Sequence, residues 1–185
     1  VLWIDPAVPA ALRGTLMAQS AIQTAGNRAD ATLFFEIAAS GGEDALQAGA
    51  VTWVYALEAP FPTVTDQVSL EQLQGFWSGE AISDLPFTLI EVSSETKAVF
   101  EALWGNTTED RVTVVDEASL STNDFTQMTT WAIVPFDQIA PRWKVIKIDG
   151  ISPLDKPMDA ANYALTVNFS MSTKEDNAYL NTAAQ

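Results

Sequence analysis

The phrase VYALEAPFP at residues 54–62 returns in similar form as WAIVPFDQI at residues 131–139. Each copy places an aromatic residue, an alanine and aliphatic residues ahead of a Pro-Phe pair. Because proline cannot donate a hydrogen bond to a sheet ladder, we interpret each copy as a buried strand that ends at its proline. The repeat therefore predicts two strands with the same role, separated by a unit of helices and strands.

Strands and helices alternate along the first part of the chain. Residues 1–5 (VLWID) are a predicted strand, and the helical pattern after them stops at Gly26. Residues 31–40 (ATLFFEIAAS) and 50–60 (AVTWVYALEAP) are predicted strands, with a short helix predicted at 43–49 between them. Strands that alternate with helices indicate a parallel or mixed sheet and hence an α/β fold.

The remainder of the chain continues this alternation. Ser69 precedes one helical pattern, and Ser93 or Ser94 precedes a second that Gly105 ends. Serine is a preferred N-cap and glycine a preferred stop, so both patterns are predicted helices. Further predicted strands are 86–93, 110–117, 131–136, 142–150 and 163–172.

Cysteine and histidine are both absent from the 185 residues. Their absence excludes thiol nucleophiles, Ser-His-Asp triads, Cys/His zinc sites and imidazole acid–base chemistry. A calcium loop of carboxylates alone needs ligands at the one-three-five spacing, which residues 110–117 and 155–159 do not offer. We therefore expect no metal site and no cofactor.

The chain is strongly acidic, with a net charge of −15 from 24 acidic and 9 basic residues. This charge repels a phosphate backbone, so we expect no nucleic-acid partner. An anion can still bind locally, because helix N-termini act at short range. Hydrophobic residues make up 48% of the chain, which is enough for a core, but no apolar run is long enough to predict a membrane span.

Two stretches resemble phosphate-type periplasmic binding proteins. Residues 66–80 (DQVSLEQLQGFWSGE) are similar to the first helix of their second lobe, and residues 143–172 (WKVIKIDGISPLDKPMDAANYALTVNFSMS) to the segment that returns to the first lobe. The resemblance implies an α/β, two-lobed type 2 periplasmic-binding-protein-like domain, with mixed sheets and flanking helices. It implies a discontinuous lobe one, residues 1–61 and 146–185, and a lobe two of residues 62–145.

A narrower resemblance covers most of the chain. Residues 2–13, 55–80, 93–105 and 131–155 look like the N-terminal region of bacterial CapA-type proteins, which act in poly-gamma-glutamate or capsule synthesis. The resemblance implies an extracytoplasmic location in the bacterial cell envelope and a C-terminal metallophosphatase-like domain of the parent chain as a partner. That domain needs histidine among its metal ligands, so its hydrolytic activity is not carried over to this chain.

The two-lobed resemblance suggests a role for the repeated phrase. The first copy would end the last strand before the outward crossing between lobes, and the second would end the last strand before the return. We expect Phe61 and Phe136, which follow the two prolines, to pack beside the cleft. The alternative is that both copies are ordinary strand ends.

The strongest candidate for ligand binding is the N-terminus of the second predicted helix. Ser93, Ser94 and Thr96 lie there directly after a strand, where hydroxyls and free backbone amides could hold a carboxylate or another oxyanion. The alternative is a plain capping arrangement. The Ser-Gly-x-Thr loop of phosphate binders is replaced here by Ser-Ser-x-Thr.

Four further residues complete the candidate set. Thr63 and Thr65 follow the first crossing, where they would contribute to the cleft. Asp5 ends the first strand, at the position where open α/β sheets place ligands, or it caps the helix that follows. Trp131 is the aromatic candidate for a cleft wall, and its alternative is the core.

We therefore expect binding without catalysis: capture of a small polar ligand, or of a polyglutamate or glycan segment, between lobes that close on it. Four basic residues could make such a cleft locally positive: Arg13, Lys97, Arg142 and Lys144. One alternative is a degenerate binding-protein fold that serves as a spacer or docking module. Another is a carboxylate-only glycosidase, which would need two buried, opposed carboxylates.

Overall fold

The computed structural model describes residues 1–19, 22–38, 50–120 and 127–174. The chain divides into two compact units: unit 1 comprises Val1–Thr52 and Val167–Gln185, and unit 2 comprises Trp53–Thr166. The short helix predicted at 43–49 lies outside the described residues. The lobe limits implied by the resemblance remain a prediction.

The described helices and strands follow the predicted order. In chain order they are β1 (Leu2–Ile4), α1 (Ala10–Gln19), β2 (Leu33–Ile37), β3 (Val51–Pro60), β4 (Gln67–Val68), α2 (Leu70–Ser78), β5 (Leu89–Val92), α3 (Ser94–Trp104), β6 (Val112–Val114), α4 (Glu117–Leu120), β7 (Thr130–Pro135), β8 (Trp143–Ile148) and β9 (Thr166–Thr173). Every strand predicted within the described residues is confirmed, as are the helices that follow Ser69 and Ser93. The predicted stop of the first helix at Gly26 is wrong, because α1 ends at Gln19 and Thr24 forms a bridge with Leu2. The short elements β4 and α4 were not predicted.

The described part of unit 1 contains the paired strands β1, β2 and β9. β1 pairs in parallel with β2, and β2 pairs antiparallel with β9. Phe35 of β2 stacks on Phe169 of β9 with ring centroids 6.2 Å apart, and both rings are buried. The Arg28 guanidinium lies 4.8 Å from the centre of the Phe34 ring. Aromatic burial on both strands gives unit 1 a core of its own.

Unit 2 contains a mixed sheet in which β3, β7, β5 and β6 are neighbours in that order. β5, β6 and β7 run parallel to one another. β3 runs antiparallel to β7 and, on its other edge, to β8, which pairs in parallel with β4. The α/β class and the mixed sheet with flanking helices are thereby confirmed.

The two copies of the repeated phrase are β3 and β7, which are antiparallel neighbours. Their register pairs Tyr55 with Pro135 and Glu58 with Ala132. Because antiparallel strands end at opposite edges of a sheet, the two Pro-Phe pairs lie at opposite edges too. The expectation that both phenylalanines pack beside one cleft is therefore wrong. Each instead remains partly in solvent, Phe61 at 68% and Phe136 at 42% exposure.

Both longer helices of unit 2 begin at a serine that the sequence predicts as a cap. The Gln72 backbone N–H donates to the Ser69 hydroxyl, and the Ser69 backbone N–H donates to the Gln72 side chain, each at 3.0 Å. The Thr96 backbone N–H donates to the Ser93 hydroxyl at 3.1 Å. Gly105 ends α3 as predicted. These caps satisfy amides that a helix start leaves without partners.

Aromatic side chains of α2 and α3 pack on one face of the unit 2 sheet. Trp77 is buried, and its ring lies 6.0 Å from that of Phe100. Tyr55 of β3 meets the Phe100 ring edge-on, with centroids 5.2 Å apart. Because successive strand residues point to opposite faces, Ala56 and Glu58 face away from these helices.

A tight turn after β8 is tied to the start of α2. Asp149 and Gly150 both have positive φ values, 49° and 82°, and Ile148 forms a bridge with Ile151 across them. This backbone matches the two-residue turns that favour Asp-Gly. The Leu70 N–H donates to the Asp149 carboxylate at 3.3 Å, which places a negative charge at the N-terminus of α2.

Candidate functional site

The carboxyl ends of β5, β6 and β7 share one edge of the unit 2 sheet, because the three strands run parallel. Ser93 follows β5, Asp116 lies just beyond β6, and Asp137 follows β7. Tyr55 lies at this edge because it pairs with Pro135. Open α/β sheets place ligands at such an edge. These residues define the candidate site, called here the carboxyl edge.

The N-terminus of α3 supplies hydroxyl groups to the carboxyl edge. Ser93 and Thr96 are buried, with 5% and 1% exposure. The Ser93 hydroxyl donates to the Thr96 hydroxyl at 3.0 Å and accepts the Thr96 backbone N–H. Both groups therefore serve the cap, which was the alternative interpretation. Ser94 is exposed, so its hydroxyl is the one that meets solvent at this helix start.

The carboxyl edge is acidic. Tyr55 is buried, and burial together with the negative charges of Glu95 and Asp137 raises the pKa of its phenol. Asp116 adds an exposed carboxylate beyond β6. Lys97, on the first turns of α3, pairs with Glu101 at 3.7 Å. The local field therefore disfavours a fully ionised anion and favours a ligand that carries a hydrogen-bond donor or a positive charge.

Thr63 and Thr65 lie away from the carboxyl edge, because they follow the end of β3, which runs antiparallel to β7. The Lys144 ammonium donates to the Thr63 carbonyl at 2.8 Å and pairs with Asp66 at 2.6 Å. The hydrogen bond and charge of Lys144 lower the pKa of the Asp66 carboxyl. This loop is thus held by an ion pair and is not brought together with Ser93.

Asp5 belongs to unit 1, where it follows β1. Its carboxylate accepts the Ala7 backbone N–H at 2.7 Å, and its own backbone N–H donates to the Phe35 carbonyl at 3.0 Å. The carboxylate therefore holds the turn that precedes α1; it does not cap the helix itself, which begins at Ala10. Arg13 of α1 donates to the Val8 carbonyl at 2.8 Å, so this basic side chain is also engaged within unit 1.

Trp131 lies in the aromatic core of unit 2. Its side chain is fully buried, and its ring centroid is 4.7 Å from that of Phe87. It therefore does not form a wall of an open surface. Its indole N–H has no hydrogen-bond partner among the described residues.

Sequence reasoning missed three residues that the structure makes notable: Tyr55, Glu58 and Asp137. Tyr55 reaches the carboxyl edge through the antiparallel pairing of β3 with β7, and Asp137 through the parallel pairing of β7 with β5; no local pattern reveals either pairing. Glu58 carried a usable signal, since it is an acidic residue inside an otherwise apolar strand. Its side chain is 1% exposed.

The described residues contain no group of three or more acidic side chains arranged to hold a metal ion. Among the helices of the same residues, none is long and apolar enough to cross a membrane. Glu58 is the one buried carboxylate in the described part of the chain. The pair of buried, opposed carboxylates that a glycosidase would require is thus absent from that part.

No family model matches the chain, and no curated protein matches it either. Solved structures do match over nearly its whole length. An ABC-type phosphate transport receptor from Vibrio cholerae has a TM-score of 0.64 at 12% identity, covering 98% of this chain and 92% of that one. A possible phosphate binding protein from Planctomyces limnophilus has a TM-score of 0.59 at 11% identity, with 94% and 81% covered. PstS from Borrelia burgdorferi has a TM-score of 0.52 at 11% identity, with 98% and 89% covered.

The chain has a periplasmic-binding-protein-like fold. The likeness extends across both units, since it covers 98% of the chain. This confirms the fold that the phrases at residues 66–80 and 143–172 implied. At an identity of 12% the likeness carries the fold alone.

Proposed function

We propose that this chain is a non-catalytic, extracytoplasmic solute-binding domain that captures a small polar oxyanion. The observation that carries the proposal is its periplasmic-binding-protein-like fold, which matches a phosphate transport receptor over 98% of the chain. The carboxyl edge of unit 2 supports it, because a strand there runs directly into the N-terminus of an 11-residue helix. Phosphate is the first ligand to test, since the Vibrio cholerae receptor is named for it.

The acidic groups at this edge indicate which oxyanion should bind most tightly. Asp137 and Glu95 both act on the Tyr55 phenol, so negative charge is concentrated beside the helix start. An oxyanion that still carries a proton can donate to a carboxylate such as Asp137, whereas a fully ionised one is repelled. Phosphate keeps a proton at neutral pH and sulfate does not. We therefore expect phosphate to bind more tightly than sulfate.

Thermal unfolding with added ligand tests the proposal. A ligand that binds the folded state at 100 times its Kd stabilises it by about 2.7 kcal/mol. Phosphate, sulfate, acetate and glutamate are compared at millimolar concentrations, with phosphate expected to raise Tm most. Ser94→Glu places a new carboxylate at the exposed helix start and should abolish the shift. Ala102→Glu, at an exposed position near the other end of α3, carries the same charge and should keep it.

The outcomes separate the proposal from its rivals. Stabilisation that persists in Ser94→Glu would place the ligand elsewhere. No stabilisation by any compound would favour the second candidate, a spacer or docking module that has lost its ligand. That candidate is motivated by one observation: the buried Ser93 hydroxyl donates to the Thr96 hydroxyl and accepts the Thr96 backbone N–H, so it is engaged within the cap.

The role in capsule or poly-gamma-glutamate synthesis stays a prediction that rests on the quoted phrases alone. The same is true of a metallophosphatase-like partner domain and of a polyglutamate or glycan ligand. Short glutamate peptides in the thermal screen address this prediction directly. A Tm shift with the peptides and none with phosphate would support it.

A further inference from the structure

Glu58 is a carboxyl group enclosed by apolar side chains on the sheet face away from α2 and α3. It is 1% exposed, and its direct neighbours in the sheet are Ala132 of β7 and Val145 of β8. The same face carries a buried apolar cluster of Ala56, Leu120, Ala132 and Val134, against which Val115, Ile139 and Val145 pack. Burying a charge in such surroundings is strongly unfavourable.

The hydrogen bonds of Glu58 suit a neutral carboxyl group better than a carboxylate. The Ala140 backbone N–H donates to it, and its Oε1 atom has no partner among the described residues. A carboxylate accepts at several lone pairs, so a single donor leaves it poorly satisfied. Burial raises the pKa of Glu58 from 4.5 to about 7, while the Ala140 bond opposes the rise.

Two segments lie over this face and supply its apolar cover. Residues 115–120 contribute Val115 and Leu120, and residues 139–140 contribute Ile139 together with the Ala140 N–H. Both segments are short and lie outside the sheet ladder. They are called here the cover segments. Among the described residues, these segments bring apolar side chains and the Ala140 N–H to the face that carries Glu58.

Charged residues occur on β5, on β8 and in or beside the cover segments, whereas β7 carries none, and no described charged side chain acts on the pKa of Glu58. They are Glu91 on β5, Lys147 on β8, Asp116 just before α4, and Asp137 and Arg142 beside residues 139–140. Glu91 lies two strands away in the sheet register, since it flanks Ala132 on the side opposite Glu58. The shift in pKa accordingly arises from burial and not from a neighbouring charge.

We propose that Glu58 is a proton-operated latch for the cover segments of unit 2. When Glu58 is neutral, the segments stay packed over β3. When it ionises, an open form in which water reaches the carboxylate is favoured. Because only the closed form resists ionisation, the opening equilibrium constant rises with pH and levels off above the closed-state pKa. The expected rise between pH 5 and pH 8 is on the order of 100-fold.

Hydrogen exchange followed by mass spectrometry at pH 5, 6, 7 and 8 tests this latch. After correction for the intrinsic pH dependence of exchange, the amides of residues 115–120 and 139–140 should exchange progressively faster as the pH rises in the wild-type chain. Glu58→Gln keeps the shape and cannot ionise, so its cover segments should show no pH-dependent opening. Glu91→Gln is the matched control on the same face and should behave as wild type.

The proposal is overturned if wild-type opening is independent of pH, or if Glu58→Gln opens as the wild type does. It is equally overturned if Glu91→Gln removes the pH dependence. A carbon-13 NMR titration of the Glu58 carboxyl in the wild-type chain keeps the test decisive should the variant fold poorly. Its midpoint must fall near neutral pH, where the opening levels off; a midpoint in the ordinary range of glutamate would refute the latch.

Discussion

Replacing Ser93 by alanine gives the most direct test of how the carboxyl edge is held together. The change removes the N-cap of α3, which costs about 0.5–2 kcal/mol in other helices. It also leaves the Thr96 backbone N–H and hydroxyl in a buried position without the Ser93 oxygen. A buried donor without a partner costs about 1–3 kcal/mol. Both figures describe loss of the same Ser93–Thr96 bond, so we expect Ser93→Ala to lower the free energy of unfolding by about 2–3 kcal/mol, at the upper end because the donor is buried.

Ser69 provides a matched comparison. It caps α2 with the same geometry, since its hydroxyl accepts the Gln72 N–H at 3.0 Å, but the site is only partly buried. Water can replace the lost hydroxyl there, so Ser69→Ala should cost about 1 kcal/mol. Ser94→Ala, at the exposed neighbour of the α3 cap, should change stability by no more than about 0.5 kcal/mol.

Urea unfolding followed by tryptophan fluorescence measures these differences. Five of the six tryptophans, all except Trp3, lie within Trp53–Thr166, so the signal reports mainly on unit 2. If the free energy of unfolding falls with urea concentration at the same slope in each variant, the variants expose the same amount of surface on unfolding. If Ser93→Ala cost no more than Ser69→Ala, the buried pairing of Ser93 with Thr96 would contribute nothing, and the reasoning would fail.

The remaining predictions concern packing and backbone conformation. Trp131→Ala should lower the free energy of unfolding in urea by about 3–5 kcal/mol, because it removes a fully buried indole from the core. A loss below about 1 kcal/mol would contradict the position of Trp131 in the core. Gly150→Ala should lower the free energy of unfolding by about 1 kcal/mol, because its φ of 82° strains any residue with a Cβ. An unchanged midpoint of urea unfolding would contradict this turn conformation. Gly14→Ala should stabilise unit 1 by about 0.5–1 kcal/mol, since a Cβ there meets no atom within 4 Å and glycine weakens a helix interior; a decrease in Tm would refute the helix at that position.

The sequence could predict features that depend on neighbours along the chain. Ser69 with Gln72, and Ser93 with Thr96, bond across three residues, so the capping pattern is visible in the sequence itself. The Asp149-Gly150 turn is equally local. Caps and turns of this kind follow from the donor and acceptor positions of a few adjacent residues.

The candidate site could be predicted only in part, because its assembly depends on strand pairing. The repeated phrase correctly indicated two similar strands, but nothing in it specified that β3 and β7 would be antiparallel neighbours. That orientation separates Thr63 from Ser93 and brings Tyr55 to the carboxyl edge. Strand register is set by contacts between residues far apart in sequence, which periodicity alone does not encode.

The chain enters and leaves unit 2 at neighbouring positions. Within unit 2 the Tyr55 backbone N–H donates to the Leu165 carbonyl at 2.9 Å, and within unit 1 the Thr52 hydroxyl donates to the Asn168 side chain at 2.9 Å. A continuous segment whose two ends meet can be removed, duplicated or exchanged with little disturbance to the flanking chain. In evolution, one genetic event could therefore exchange the whole of unit 2 while unit 1 kept its own fold.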